Sequence, residues 1–218
     1  MNYNREKVLE VSKILIVESH NDKFFIEALV KHMNSSDITI ETPICMIDDY
    51  ECLTSLSQLE SRLIALRADI EKHADIDKIG IIVDADKVGV QSRTDEVQII
   101  VDKLFTDLDI EVSIYIMNVD GQGELETVLK QIASSDTTIA DCLESWQECI
   151  EEKKKLNQKE FDKVWVQMYQ RYDCCTKKEA KQAGKKCNNE ISFSKNIYDL
   201  DNPILDKLKT FLQELGAN

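Results

Sequence analysis

"IGIIVDADKV" runs from Ile79 to Val88. Ile79, Ile81, Ile82 and Val83 suit the interior of a sheet, yet the run ends abruptly in Asp84 and Asp86, with only Ala85 between them. A strand buried on both faces of a parallel sheet reads as a near-continuous apolar run. Ligands of an open parallel sheet bind outside the carboxyl ends of its strands. The stretch therefore predicts a strand over 78–83 that delivers two carboxylates into a ligand-binding crevice.

The flanking sequence supplies the rest of such a sheet. "KILIV" at 13–17 is a second apolar run, ending at Glu18, and 38–47 reads as an edge or irregular strand because it contains Pro43. "EVSIYIM" at 111–117 is a fourth strand. Helical periodicity separates them. Phe25, Ile26, Leu29, Val30 and Met33 follow an N-cap at Asn21 or Asp22, and Leu56, Leu59, Leu63, Leu66 and Ile70 mark a helix over 53–73. Val97, Ile100, Val101, Leu104 and Leu108 mark another over 92–108, and Gly121 and Gly123 precede a shorter one over 124–133. Strands alternating with helices of this length predict an α/β fold of about four parallel strands flanked by helices. Beyond residue 136 only helical patterns remain, over 139–154, 157–172, 176–185 and 203–215. Residues 1–136 thus form an α/β domain, and 137–218 a helical C-terminal extension packed on it.

Composition narrows the function classes. The 218 residues are 43% hydrophobic with two prolines and six glycines, enough for a core built mostly of regular structure. No apolar run approaches the ~18 residues of a membrane span, and no charged-then-apolar leader opens the chain. The expectation is a cytoplasmic protein with no membrane partner, whose seven cysteines are reduced thiols. The formal charge of −14 repels nucleic acid if spread evenly, but it is not. From Lys153 to Lys195 there are twelve Lys/Arg against five Asp/Glu.

Three strand ends carry acids: Glu18 the first, Asp84 and Asp86 the third, and Glu124 and Glu126 just after the fourth. Residues i and i+2 of a strand face the same side, so Asp84 and Asp86 project together if extended geometry persists. Two carboxylates about 6 Å apart repel by roughly 3 kcal/mol at an effective dielectric near 20. Protons or a cation must offset this. Mg²⁺ takes one or two carboxylates and fills its sphere with waters and phosphate oxygens, so a Mg²⁺ (or Mn²⁺) site is expected. Asp-x-Asp alone also suits an ordinary strand-terminating turn, and a Glu in a first helical turn, such as Glu126, is favoured by the helix dipole in any case.

These residues resemble a known superfamily. "ILIVESHNDKFFIEAL" is similar to the first motif of the TOPRIM domain, an apolar strand, Glu, a usual Gly and an Asp three residues later, with Glu18 and Asp22 matching. "IIVDADKVG" resembles its second motif, Asp-x-Asp-x-x-Gly, with Asp84, Asp86 and Gly89. A Gly-x-Leu-Glu segment, Gly123–Glu126, and the helical regions "FDKVWVQMY" and "DLDNPILDKLKTFL" are most similar to an uncharacterised bacterial family of TOPRIM-related, OLD-nuclease-like proteins. The resemblance implies a Rossmannoid TOPRIM-like sheet. It also implies Mg²⁺-dependent phosphoryl transfer in the form of phosphodiester hydrolysis, with Glu18 as general acid/base or further ligand, Asp84 and Asp86 holding the metal, and Glu126 as a further ligand. Ser19 departs from the pattern, standing where Gly is usual. Turnover is therefore left open by the sequence, with a metal-dependent nuclease favoured.

Lys87, Lys177, Lys178, Lys185 and Lys186 are candidate phosphate or nucleic-acid contacts, DNA and RNA undistinguished, with Trp165, Tyr169, Arg171 and Tyr172 interleaved for stacking. Solvated lysines, or packing of the basic tract on the acidic remainder, explain the same sequence. Asp84-Ala85-Asp86-Lys87-Val88 also resembles the first motif of haloacid-dehalogenase-like phosphatases. That motif belongs on a first core strand, whereas here a strand–helix unit precedes it and Glu18 is left unexplained. A non-catalytic metal- or nucleotide-binding regulator, of the defence-associated kind, is the alternative from outside enzymology.

Overall fold

The computed structural model describes residues 12–35, 38–41, 44, 55–73 and 76–217. Four parallel strands form one sheet: β1 (Ser12–Val17), β2 (Thr39–Ile40), β3 (Ile76–Asp84) and β4 (Glu111–Met117), in the order β2-β1-β3-β4. Every pairing is parallel, with Ile14 through Val17 opposite Ile79 through Ile82 and Asp84 opposite Met117. The expected α/β class is therefore correct. Of the strand expected over 38–47, Thr39–Ile40 is strand, and residues 42, 43 (Pro43) and 45–47 lie outside the described residues. The chain moves outward from β1 to β2, then crosses back to β3 on the other side. This reversal opens a crevice between the carboxyl ends of β1 and β3.

Alternation along the strands creates two cores. Ile14 and Ile16 of β1 and Ile79, Ile81 and Val83 of β3 face α2 (Ser55–His73) and α3 (Val90–Phe105). Leu59, Leu63, Val97 and Phe105 close that layer. Leu15, Val17 and Ile82 face the other way, against α1 (His20–His32) and α4 (Leu125–Gln131). The segment after residue 136 completes the second layer. It comprises α5 (Thr138–Cys149), α6 (Gln158–Met168), a π-turn at Tyr169–Asp173, α7 (Lys177–Ala180), α8 (Ala183–Lys186), α9 (Asn189–Phe193) and α10 (Asp206–Gly216). Leu208, Phe211, Leu212 and Leu215 of α10 join the core of β1 and β3, each burial worth roughly 2 kcal/mol. Gly80 makes room for them, because a Cβ there would stand 2.6 Å from Leu215 Cδ2. The helical extension therefore shares the sheet's own core.

Several expectations are refined. Residues 176–185 are two short helices rather than one, and α9 is additional. Trp165 and Tyr169 stack at 5.3 Å between ring centroids and are 2% and 0% exposed, so they serve the core and not nucleic-acid stacking. The cysteines are not all reduced thiols: Cys175 and Cys187, brought together by the turn after the π-segment and by α8, form a disulfide, while Cys142, Cys149 and Cys174 are free. No described helix is long and apolar enough to cross a membrane.

Candidate functional site

The crevice between β1 and β3 gathers acids from three strand ends. Glu18 follows β1 directly, and its Oε2 accepts a hydrogen bond from the Asp84 backbone N–H at 3.2 Å. Asp84 is the last residue of β3. Alternation puts it on the Ile82 side, toward α1 and α4.

The sequence resemblance matched Asp22, but the N-cap of α1 is Ser19, not Asn21 or Asp22. Asp22 is the third helical residue of a capping box. Its Oδ2 accepts from the Ser19 N–H at 2.8 Å and from Ser19 Oγ at 2.5 Å. Ser19 has φ −130°, ordinary extended backbone, so this position does not require the glycine usual in the resembling motif.

The expectation that Asp84 and Asp86 project together is not met. β3 ends at Asp84, and Asp86 has φ 48°, a left-handed conformation that Asp tolerates better than most residues. The turn is fixed by the loop after β4. Asp86 N–H donates to Gly123 O at 2.9 Å, and Gly123 N–H returns to Asp86 O at 3.0 Å. Gly123 has φ 96°, and a Cβ there would meet Thr127 Oγ1 at 2.8 Å. So re-aimed, the Asp86 carboxylate meets two cations. Arg93 Nη2 lies 2.9 Å from Oδ2 and Lys159 Nζ 2.7 Å from Oδ1. Arg93, 8% exposed, also donates to the Asp84 carbonyl at 3.1 Å.

Glu124 and Glu126 flank the start of α4. Glu124 is 2% exposed, and Lys159 Nζ lies 2.9 Å from its Oε2. Glu126 occupies the first turn of α4. Lys87 is exposed on the rim of an adjoining cavity of about 230 Å³, also lined by Asp86, Gln122, Glu124, Gln158 and Lys159. Lys177, Lys178, Lys185 and Lys186 stand exposed on α7 and α8. They are not among the residues lining that cavity.

The electrostatics follow from burial. Loss of hydration is the main cause that raises the Asp84 carboxyl well above the usual range, and Asp22, Glu18, Glu126 and Glu124 add repulsion in that order. Burial lifts Asp22 to about 6 against its hydrogen bonds from Ser19, with the Glu18 charge adding. Burial and Glu126 lift Glu124 to about 7, opposed by Lys159. Glu18 is raised by burial, against the Asp84 N–H. Glu126 is raised by burial, against Lys163. Burial opposes the charge on Lys159, yet its hydrogen bonds to Asp86 and Glu124 hold it protonated above the usual lysine value.

Among the described residues, the buried oxygens Asp22 Oδ1 and Glu124 Oε1 have no hydrogen-bond partner. Unpartnered buried acceptors are costly. The donors are all carboxylate oxygens, the set preferred by hard divalent ions. Among the described residues, no three or more His, Cys, Asp or Glu side chains are already arranged around one metal position. Mg²⁺ does not need three, since one or two carboxylates with water and phosphate complete its sphere. Asp84 and the acids that act on it electrostatically, Asp22, Glu18, Glu126 and Glu124, are the residues that would hold a divalent cation, whereas Asp86 is already paired with Arg93 and Lys159.

Sequence reading singled out Glu18, Asp84, Asp86 and Glu126, and the fold places all four at the carboxyl end of the sheet; the burial of Asp22 and Glu124 and the pairing of Arg93 and Lys159 with Asp86 were not read from it. Arg93 lies seven residues after Asp86 and Lys159 seventy-three, separations carrying no local signal. Comparison with curated proteins and with solved structures gives no match. A family model matches over residues 12–217, and the chain belongs to that family, described as a protein of unknown function (DUF3226).

Proposed function

We propose that this protein is a Mg²⁺- or Mn²⁺-dependent phosphoryl-transfer protein, a nuclease-like phosphodiester hydrolase acting on nucleic acid in the manner of the TOPRIM domains its motifs resemble. One observation carries the reading: Glu18 Oε2 is hydrogen-bonded to the Asp84 backbone at the point where the strand order reverses, Asp22, Glu126 and Glu124 add negative charge there, and Asp22 and Glu124 retain unpartnered oxygens. Such a cluster holds repulsion that a divalent ion relieves.

A bound ion polarises a phosphate and lowers the pKa of attacking water. Asp84, with Asp22 or Glu126 beside it, is the anchor for that ion. Glu18, raised by burial and steadied by the Asp84 N–H, suits proton transfer at the crevice mouth. Lys87 on the cavity rim and the lysines of α7 and α8 supply charge for phosphates.

The test is nicking of supercoiled plasmid and cleavage of single-stranded RNA in Mg²⁺ or Mn²⁺, set beside Asp84→Asn. The wild type cleaves at least one substrate, and the variant loses about a hundredfold or more while remaining folded. The pairing of Asp86 and Glu124 with Lys159 favours a second reading, a metal- or nucleotide-binding regulator without turnover. Wild-type inertness on every substrate alongside normal metal binding selects it.

A further inference from the structure

We propose that Lys159 is the site's tethered counter-ion: a divalent metal displaces its ammonium from Asp86 and Glu124, and the freed ammonium then binds the phosphate of the substrate. The inference rests on the metal-dependent reading above and assigns a further residue to it.

The geometry places the ammonium as a bridge. Lys159 Nζ stands 2.7 Å from Asp86 Oδ1 and 2.9 Å from Glu124 Oε2, joining the loop after β3 to the loop after β4. Asp86 also has Arg93 on its other oxygen, whereas Glu124 Oε1, the other oxygen of its carboxylate, is buried without a hydrogen-bond partner among the described residues, so the ammonium leaves half of Glu124 unsatisfied. An ion of charge +2 satisfies more of these oxygens than an ammonium of charge +1.

The tether is suited to exchange. Lys159 is the second residue of α6, a helix anchored elsewhere by Phe161, Trp165 and Val166 in the core and started by an Asn157–Glu160 capping box. Its side chain is 44% exposed and unbranched, so the head can swing on four methylenes while the backbone stays fixed. It also lines the cavity of about 230 Å³ shared with Lys87, Gln122 and Gln158. An ammonium leaving the two carboxylates remains at that cavity wall, where a phosphate approaching the metal meets it. Arg93 does not play this part. It is 8% exposed and tied to Asp84 O, Glu96 and Asp86 together, which fixes it as a strut.

A single substitution then has effects of opposite sign. In calorimetric titrations of the full chain, Lys159→Met tightens Mn²⁺ binding about tenfold, because the competitor is gone. At saturating Mn²⁺ it weakens inorganic phosphate binding about tenfold, because a charge-assisted hydrogen bond is lost. Lys159→Arg retains most of the phosphate affinity, and circular dichroism verifies that both variants are folded. Any fixed positive charge beside the site would oppose Mn²⁺, so the discriminating readout is the loss of phosphate affinity at saturating Mn²⁺ and its rescue by Lys159→Arg. The proposal is overturned if Lys159→Met leaves Mn²⁺ affinity unchanged or lower, or leaves phosphate affinity unchanged. Absence of Mn²⁺ binding in wild type and variant alike overturns this proposal and the metal-dependent reading together, an outcome distinct from equal binding in both.

Discussion

Replacing Asp22 with asparagine tests the electrostatic state of the crevice without reference to any substrate. Asp22 is 2% exposed, and its carboxyl is lifted to about 6 from an ordinary 3.8. A carboxyl raised by folding stabilises the fold below its unfolded pKa, where both states are protonated. That contribution is lost as pH rises toward the folded value, because the unfolded chain then releases the proton more readily. At about 1.4 kcal/mol per pH unit the full gap is worth about 3 kcal/mol. Roughly 2 kcal/mol of it falls between pH 4 and pH 8, since the unfolded carboxyl is already partly ionised at pH 4. The substituted amide keeps one acceptor for Ser19 but cannot ionise. Urea denaturation in EDTA therefore finds Asp22→Asn destabilising at pH 4, by about 1 kcal/mol for the weakened capping box. At pH 8 it is neutral or stabilising. The difference between the two pH values refers to Asp22 together with the repulsion it exerts on Asp84, because carboxylates away from the crevice titrate alike in both proteins. An identical cost at pH 4 and pH 8 would refute the reasoning.

Two packing predictions follow. Gly80→Ala drives a methyl into Leu215 and Leu15, at 2.6 and 2.9 Å in the present packing, and costs about 1–3 kcal/mol in chemical denaturation by lifting α10 from the sheet. Arg93→Met removes donors from the Asp84 carbonyl, Asp86 and Glu96 at once. It lowers stability by about 2–4 kcal/mol at pH 7, whereas Lys159→Met, at a half-exposed position, costs under about 1 kcal/mol; paired urea melts distinguish them.

The sheet was legible in the sequence because burial on both faces leaves a plain mark. "KILIV" and "IGIIV" have no polar break, and each is followed by an amphipathic helix. Strand order was not legible, since nothing local distinguishes a neighbour on the left from one on the right. Residues 176–185 read as one helix because lysines favour helix, but with no apolar face to bury, the segment splits at Lys181–Gln182 into two short turns. Glu18 and Asp84 were found because acids at apolar strand ends are conspicuous. The orientation of Asp86 was hidden, because it depends on hydrogen bonds to Gly123 in another loop. Lys159 was visible only as one member of a basic tract, and its partners were set by tertiary packing of α6 against α4.

The most direct measurement is a crystal of the protein soaked in Mn²⁺ and measured at the manganese absorption edge. An anomalous peak is expected in the crevice between β1 and β3, about 2.0–2.3 Å from an Asp84 oxygen and from at least one of Asp22, Glu18, Glu124 or Glu126, with the Lys159 ammonium withdrawn from Glu124. A crevice without a peak, with Lys159 still bridging Asp86 and Glu124 at saturating Mn²⁺, would contradict it.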